Sequence, residues 1–146
     1  MRSSGRAKVL IVDNDDRILW KFQEALENAG FDTTATWSGQ EALVLLKSGV
    51  FDVLLVDDYL PDLHSHDFLE RVRRLSTQPS IVVMHNSAAQ PGDLQCYESL
   101  SVSELVDKRD PVRVCKAVSL CAEQPRKQMA RLERLCLPQQ RRSGRA

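Results

Sequence analysis

Two short runs, Val9-Leu-Ile-Val12 and Val53-Leu-Leu-Val56, are apolar at every position, and acid follows each at once: Asp13 in one case, Asp57-Asp58 in the other. A strand with apolar side chains on both faces needs cover on both faces. That is the situation inside a parallel sheet with helices above and below. A half-wetted antiparallel sheet would alternate polar and apolar residues, and these runs do not.

The rest of the chain alternates to match. Ile18, Leu19, Phe22, Leu26 and Ala29 fall at helical spacing after Asp15 or Asp16 as cap, and Gly30 stands where a left-handed C-terminal residue belongs. Phe31 to Thr36 reads as a second strand with Phe31, Thr33 and Ala35 on one face. Ser38-Gly-Gln-Glu41 reads as a capping box opening a helix through Leu43, Leu46 and Lys47, stopped by Gly49. Phe68, Leu69, Val72 and Leu75 give a third helix, and Ile81 to Met84 a fourth strand. Pro91-Gly92 leads into a weak helix around Leu94 to Leu100, and Glu104 to Val106 makes a fifth strand. Asp110-Pro111 caps a last helix whose apolar stripe is read as Val112, Cys115, Val118 and Ala122. Five βα units of this kind imply a doubly wound, five-stranded parallel sheet, an α/β fold.

In such sheets ligands sit beyond the carboxyl ends of the strands. Acids stand there after the first and third strands, and Lys108 after the fifth. Carboxylates brought together repel one another, and a divalent oxygen-seeking cation such as Mg²⁺ relieves the repulsion. A carboxylate beside such an ion can attack a phosphoryl group while a lysine neutralises the transferred charge. Taken alone, Lys108 is an ordinary exposed lysine at a strand end.

Charge divides the chain. Its 20 basic and 20 acidic residues cancel, yet residues 123–146 carry seven basic side chains against Glu123 and Glu133. The tail is therefore +5 and residues 1–122 are −5, an acidic body with a basic tail. No global field argues for direct nucleic-acid binding. The longest apolar run, Ala42 to Leu46, is too short to span a membrane, and the polar N-terminus lacks the apolar stretch of a secretory signal. Cys96, Cys115, Cys121 and Cys136 show neither a CxxC pair nor zinc spacing; they read as reduced thiols of a cytoplasmic protein, with Cys115 and Cys121 filling core. His64-Ser-His66 reads as a solvated loop and helix start, since imidazoles at i, i+2 do not face one site and zinc needs further ligands. Trp20 is expected on a helix surface and Trp37 in loop packing. The expected organisation is a disordered arm over 1–7, one domain over 8–122, and a basic tail or linker helix over 123–146.

Val9-Leu-Ile-Val-Asp-Asn14, Phe51-Asp-Val-Leu-Leu-Val-Asp57-Asp-Tyr-Leu-Pro61 and Val106-Asp-Lys108 together resemble the receiver domain of two-component response regulators, from about Lys8 to Ala122. The resemblance implies a flavodoxin-like architecture and a phosphoryl group accepted on Asp57 from a sensor histidine kinase or phosphotransfer protein. Asp57 is chosen over Asp58 because Pro61 lies four positions on. It further implies Mg²⁺ held by Asp13, Asn14, Asp57 and the backbone carbonyl of Tyr59, with Lys108 contacting the phosphoryl group. The partner or homodimer surface it implies is the face of the fourth helix, fifth strand and fifth helix.

Several positions depart from the family. Asn14 replaces a usual acid and should weaken Mg²⁺ binding, unless Asp15 or Asp16 compensates. Arg109 replaces the Pro after the lysine, Leu105 the aromatic three before it, and Ser65 a common Gly. For the hydroxyl expected after the fourth strand, register favours His85 and a small insertion favours Ser87. Two other readings stand beside the phosphoacceptor: a divergent receiver that binds a partner constitutively, and a haloacid-dehalogenase-like phosphatase using Asp13-Asn14-Asp15. The phosphatase reading is weakened by Arg17 where that family has Thr or Val, and by an acidic pair that comes too early.

Overall fold

The two doubly apolar runs become neighbouring interior strands, and the rest of the chain is wound to cover them. The computed structural model describes residues 5–86 and 97–123. Its strands are β1 (Lys8–Val12), β2 (Asp32–Thr36), β3 (Val53–Asp57), β4 (Ser80–His85) and β5 (Glu104–Asp107). Its helices are α1 (Asp16–Asn28), α2 (Gly39–Ser48), α3 (Ser65–Arg73) and the last helix, α4 (Pro111–Ala122). Every strand pair is parallel, in the order β2-β1-β3-β4-β5. Of the helix expected around 94–100, residues 97–99 are helical and 94–96 lie outside the described residues. No helix among the described residues is long and apolar enough to cross a membrane.

Strand alternation sorts the core into two layers. Leu10, Val12, Leu54, Val56, Ile81 and Val83 face α2 and α3, where Leu43, Leu46, Phe68, Leu69 and Val72 meet them. Val9, Ile11, Val53, Leu55, Val82 and Met84 face α1 and α4, against Phe22, Leu26, Val114 and Val118. Phe31 and Ala35 join this second layer from the β2 side. Both strand faces are thus buried.

The helix ends follow from local chemistry, and of the two caps open at α1 the structure takes the first. Asp15, not Asp16, caps α1, its carboxylate accepting the Arg17 N–H at 2.9 Å. The helix closes with Phe31 N–H on the Leu26 carbonyl and Gly30 N–H on that of Glu27, both at 3.0 Å, and Gly30 takes the left-handed φ of +100° this closure needs. The capping box at α2 is only half formed. Ser38 accepts the Glu41 N–H at 3.1 Å, but the Glu41 carboxylate takes the Thr36 hydroxyl instead of turning back. The stripe of α4 is rotated from the expected one: Val114, Ala117, Val118 and Cys121 are buried, Cys115 is half-buried, and Val112 is 79% exposed. Both stripes contain Val118; the observed one puts the small Ala117 into the core layer beside the strands.

A different acid, Asp62, 23 residues beyond Gly39, serves the first turn of α2. Its two oxygens accept the Gly39 and Gln40 N–H groups, each at 3.0 Å, clamping the β3–α3 loop onto the start of α2. A Cβ at Gly39 would meet Leu60 and Leu63 side-chain atoms at 3.3 Å, so any larger residue there requires these leucines to shift by a few tenths of an ångström. Slight burial would raise the Asp62 pKa, but the N–H groups of Gln40, Gly39 and Asp62 itself outweigh it and lower the value. Asp62→Ala is expected to destabilise the fold by about 1 kcal/mol at neutral pH. A depressed pKa gives stability present above the unfolded value, so the difference between the two proteins should fade as pH falls below about 4. Urea melts at several pH values check both the size and the sign.

Candidate functional site

The sheet order places β2 on one side of β1 and β3 on the other, so the crossover from β1 runs one way and that from β3 the other, which opens a crevice at the carboxyl edge between them. Three backbone bonds fix the residues that rim it. Asp13 N–H reaches the Thr36 carbonyl at 3.2 Å, Asp58 N–H that of Met84 at 2.8 Å, and Lys108 N–H that of His85 at 2.7 Å. The candidate side chains therefore stand on sheet-anchored backbone.

Asp13, Asp57 and Lys108 meet there. Lys108 Nζ lies 2.8 Å from Asp13 Oδ2 and 3.1 Å from Asp57 Oδ1. Asp13 Oδ1 accepts the Asp15 N–H at 2.9 Å. Asp13 is fully buried, and Asp57 and Lys108 are 7% and 8% exposed. Burial pushes the Asp13 and Asp57 pKa values up, against the lowering effect of Lys108; Asp58 beside Asp57 adds to the rise. For Lys108 burial alone would lower the pKa, and the hydrogen bond to Asp13 with the charges of Asp57 and Asp13 raises it instead. With all three ionised, the site holds one excess negative charge.

The remaining candidates take different positions. Asn14 is exposed next to Asp13, and Tyr59 is exposed two residues past Asp57. Neither Asp15 nor Asp16 is spare: Asp15 caps α1, and the Asp16 carboxylate accepts the Trp37 indole N–H. Trp37 and Trp20 are both exposed, Trp20 on α1 as expected. His85 ends β4 one position beyond the Asp57–Met84 pair and opposite Asp107. Its Nδ1 is buried and has no hydrogen-bond partner among the described residues. Ser87, the other candidate for the hydroxyl position, lies outside the described residues.

Two features were not anticipated. Arg109 grips Asp107 with its backbone N–H at 2.8 Å and its Nε at 2.9 Å, holding that carboxyl far below its ordinary pKa and fixing the turn that aims Lys108. The acid two before Arg109 was the available signal. Outside the pocket, His64 caps α3, its Nδ1 accepting the His66 N–H at 3.2 Å, while His66 groups with Asp67 and Glu70 rather than with His64.

Comparison with known proteins agrees with this arrangement. The response regulator receiver domain family matches residues 9–119. The DNA-binding transcriptional regulator NtrC of Salmonella typhimurium is 32% identical over 54% of this chain and 17% of its own length. Transcriptional regulatory protein CpxR of Klebsiella pneumoniae is 33% identical over 52% of this chain and 32% of its own. The chain thus spans about a third or less of the length of these relatives. The solved structure of chemotaxis response regulator CheY4 of Vibrio cholerae, 25% identical, superimposes with a TM-score of 0.73 over 80% of this chain and 98% of that one. The family match takes in all five strands but for Lys8 at the start of β1, and the sheet has the flavodoxin-like order. On these grounds the chain belongs to the response regulator receiver domain family, the signalling domains of two-component systems.

Proposed function

We propose that Asp57 accepts a phosphoryl group from a sensor histidine kinase or a phosphotransfer protein. An Asp57 carboxylate oxygen attacks phosphorus, the bond from phosphorus to the donor's imidazole nitrogen breaks, and that nitrogen leaves with the electron pair. The observation that carries this reading is the single Lys108 ammonium bonded to both buried carboxylates. It stands ready to follow negative charge from the Asp57 carboxylate onto the phosphoryl oxygens, with no reorganisation of the backbone.

The pocket fits a hard divalent cation. Its donors are all oxygen, and its two buried carboxylates exceed Lys108 by one charge. Asp13, Asp57, the Asn14 side-chain carbonyl and the Tyr59 backbone carbonyl are the groups that would hold Mg²⁺. When bound, the ion neutralises charge on the transferring group. Because Asp15 and Asp16 are committed elsewhere, nothing in their present positions replaces the acid missing at Asn14. Asn14→Asp is expected to tighten Mg²⁺ binding about tenfold, and calorimetric titration of both proteins measures it. Equal affinities would mean that Asp15 or Asp16 leaves its partner to complete the site.

His85 takes the hydroxyl position in this reading and donates to a phosphoryl oxygen; its unpartnered Nδ1 is the supporting observation. The acidic body over 8–122 is the receiver, and the basic 123–146 is a tail or linker. The partner surface is the one formed by the fifth strand with the helices flanking it in sequence, including as a homodimer face. The constitutive-binding alternative draws on Leu105, a partly buried residue packed against the core where the family has an aromatic switch. The phosphatase reading loses Asp15, which serves as a helix cap.

The test is incubation with acetyl phosphate and Mg²⁺, followed by intact mass. A single phosphoryl adduct supports the phosphoacceptor reading. An unmodified chain at saturating donor and metal would leave the constitutive-binding reading in its place.

A further inference from the structure

On the flank away from α1 and α4, the seam between α2 and α3 opens into a hollow of about 330 Å³. Leu43, Val44 and Leu75 line it with three cations, Lys47, Arg71 and Arg74. Val44 is 63% exposed although it is aliphatic. A second hollow of about 230 Å³ shares Lys47 and Leu75 with the first and continues to Val50, also exposed. No acid lines either hollow, and among the described residues none of the three cations is in an ion pair.

This sign is opposite to that of its surroundings. Residues 1–122 hold 13 basic and 18 acidic side chains, so a groove whose charged lining residues are all cations runs against the net charge of this body. Lys47 and Arg71 also suit the negative ends of their helices, which accounts for where they stand. It does not account for the absence of acids from the lining of the two hollows, since Asp62 bonds backbone at the far end of the seam and Glu70 lines the neighbouring hollow, nor for the exposed valines.

We propose that this groove docks an acidic amphipathic helix of a partner protein. Its walls are helices, so it offers ridges for an apolar stripe and no strand edge to extend. From Gln40 to Lys47 the α2 wall runs about 10 Å, the length of two helical turns. Leucines of the ligand would cover Val44 and Leu43, and its carboxylates would reach Lys47, Arg71 and Arg74. The chain's own +5 tail has the wrong sign for this groove. A second copy related by a two-fold axis would set the cations against themselves. A nucleic acid would meet the cations but leave the apolar floor uncovered. The proposal does not depend on phosphorylation at Asp57.

The probe is a fluorescein-labelled synthetic helix with Leu at i, i+3, i+4 and i+7 and Glu elsewhere, titrated into the full chain and followed by anisotropy. Binding is expected to weaken at least ~10-fold in Arg71→Glu/Arg74→Glu and in Val44→Asp. Amide shifts in ¹⁵N-labelled protein should centre on α2 and α3. These substitutions are at exposed positions, and unchanged thermal melts establish that each variant is folded. The proposal is overturned if a scrambled peptide of the same composition binds equally, or if the charge reversal has no effect. It is equally overturned if the shifts fall elsewhere, if a single-stranded oligonucleotide competes better than the peptide, or if sedimentation shows the groove closed by a second copy.

Discussion

Lys108→Met is expected to lower the stability of the metal-free domain by about 3–5 kcal/mol at neutral pH, roughly 10–20 °C in melting temperature. The ammonium is bonded to two carboxylates that are themselves out of water, at 2.8 and 3.1 Å. Removing it leaves two like charges facing each other with no counter-charge, the arrangement most costly to bury. The pH dependence has a defined sign. Asp13 and Asp57 have pKa values raised above 3.8 in the fold, so the folded state binds more protons than the unfolded one just above that value. Their contribution therefore falls as pH rises through the window from 3.8 to their folded values, and without Lys108 it falls further. Lys108 itself has a raised pKa, so its stabilisation is complete below 10.5 and is lost as pH rises through its folded value. Wild type and variant should thus converge in acid, where the carboxyls are neutral, and again in strong alkali. Adding Asp57→Asn to Lys108→Met should recover part of the loss. A loss under 1 kcal/mol for the single variant would show that the bridge is not formed in solution.

Asp57→Asn is expected to abolish the phosphoryl adduct altogether, whereas Asp58→Asn should leave it. Asp57 is the last residue of β3 and is buried beside Lys108, while Asp58 is half-exposed. Only the former has the ammonium in place to take up the charge of the transferred group. The same substitution should raise the stability of the metal-free protein by about 1 kcal/mol, because one lysine then faces one buried carboxylate instead of two. Gain of stability with loss of the adduct separates a missing nucleophile from a misfolded protein. If Asp58→Asn removes the adduct and Asp57→Asn retains it, the acceptor has been assigned to the wrong acid.

The sheet was legible because β1, β3 and β4 carry their evidence locally. A run apolar on both faces has few other destinations, and four of the five strands end in or beside an acid, a lysine or a histidine that marks the rim. The phase of α4 was not, since Val112 and Val114 are equally apolar and only packing of Ala117 against the sheet decides between them. The clamp at Asp62 was invisible for a different reason: it joins residues 23 apart, and Ser38 with Glu41 offered a complete local explanation that the Thr36 hydroxyl then disrupts. Asp13, Asp57 and Lys108 were brought together by spacing and family resemblance. Their distances, and the engagement of Asp15 and Asp16 elsewhere, depend on rotamers that a sequence does not specify.

Lys108 follows an outer strand, yet its ammonium reaches across β4 and β3 to the end of β1. Mechanically this is a guy-rope: the margin of the sheet is tethered to its middle by one electrostatic line anchored on Asp13 and Asp57. An event that altered the charge at the anchor would act directly on this line. The structure thus joins the centre of the sheet to its edge through the Lys108 side chain.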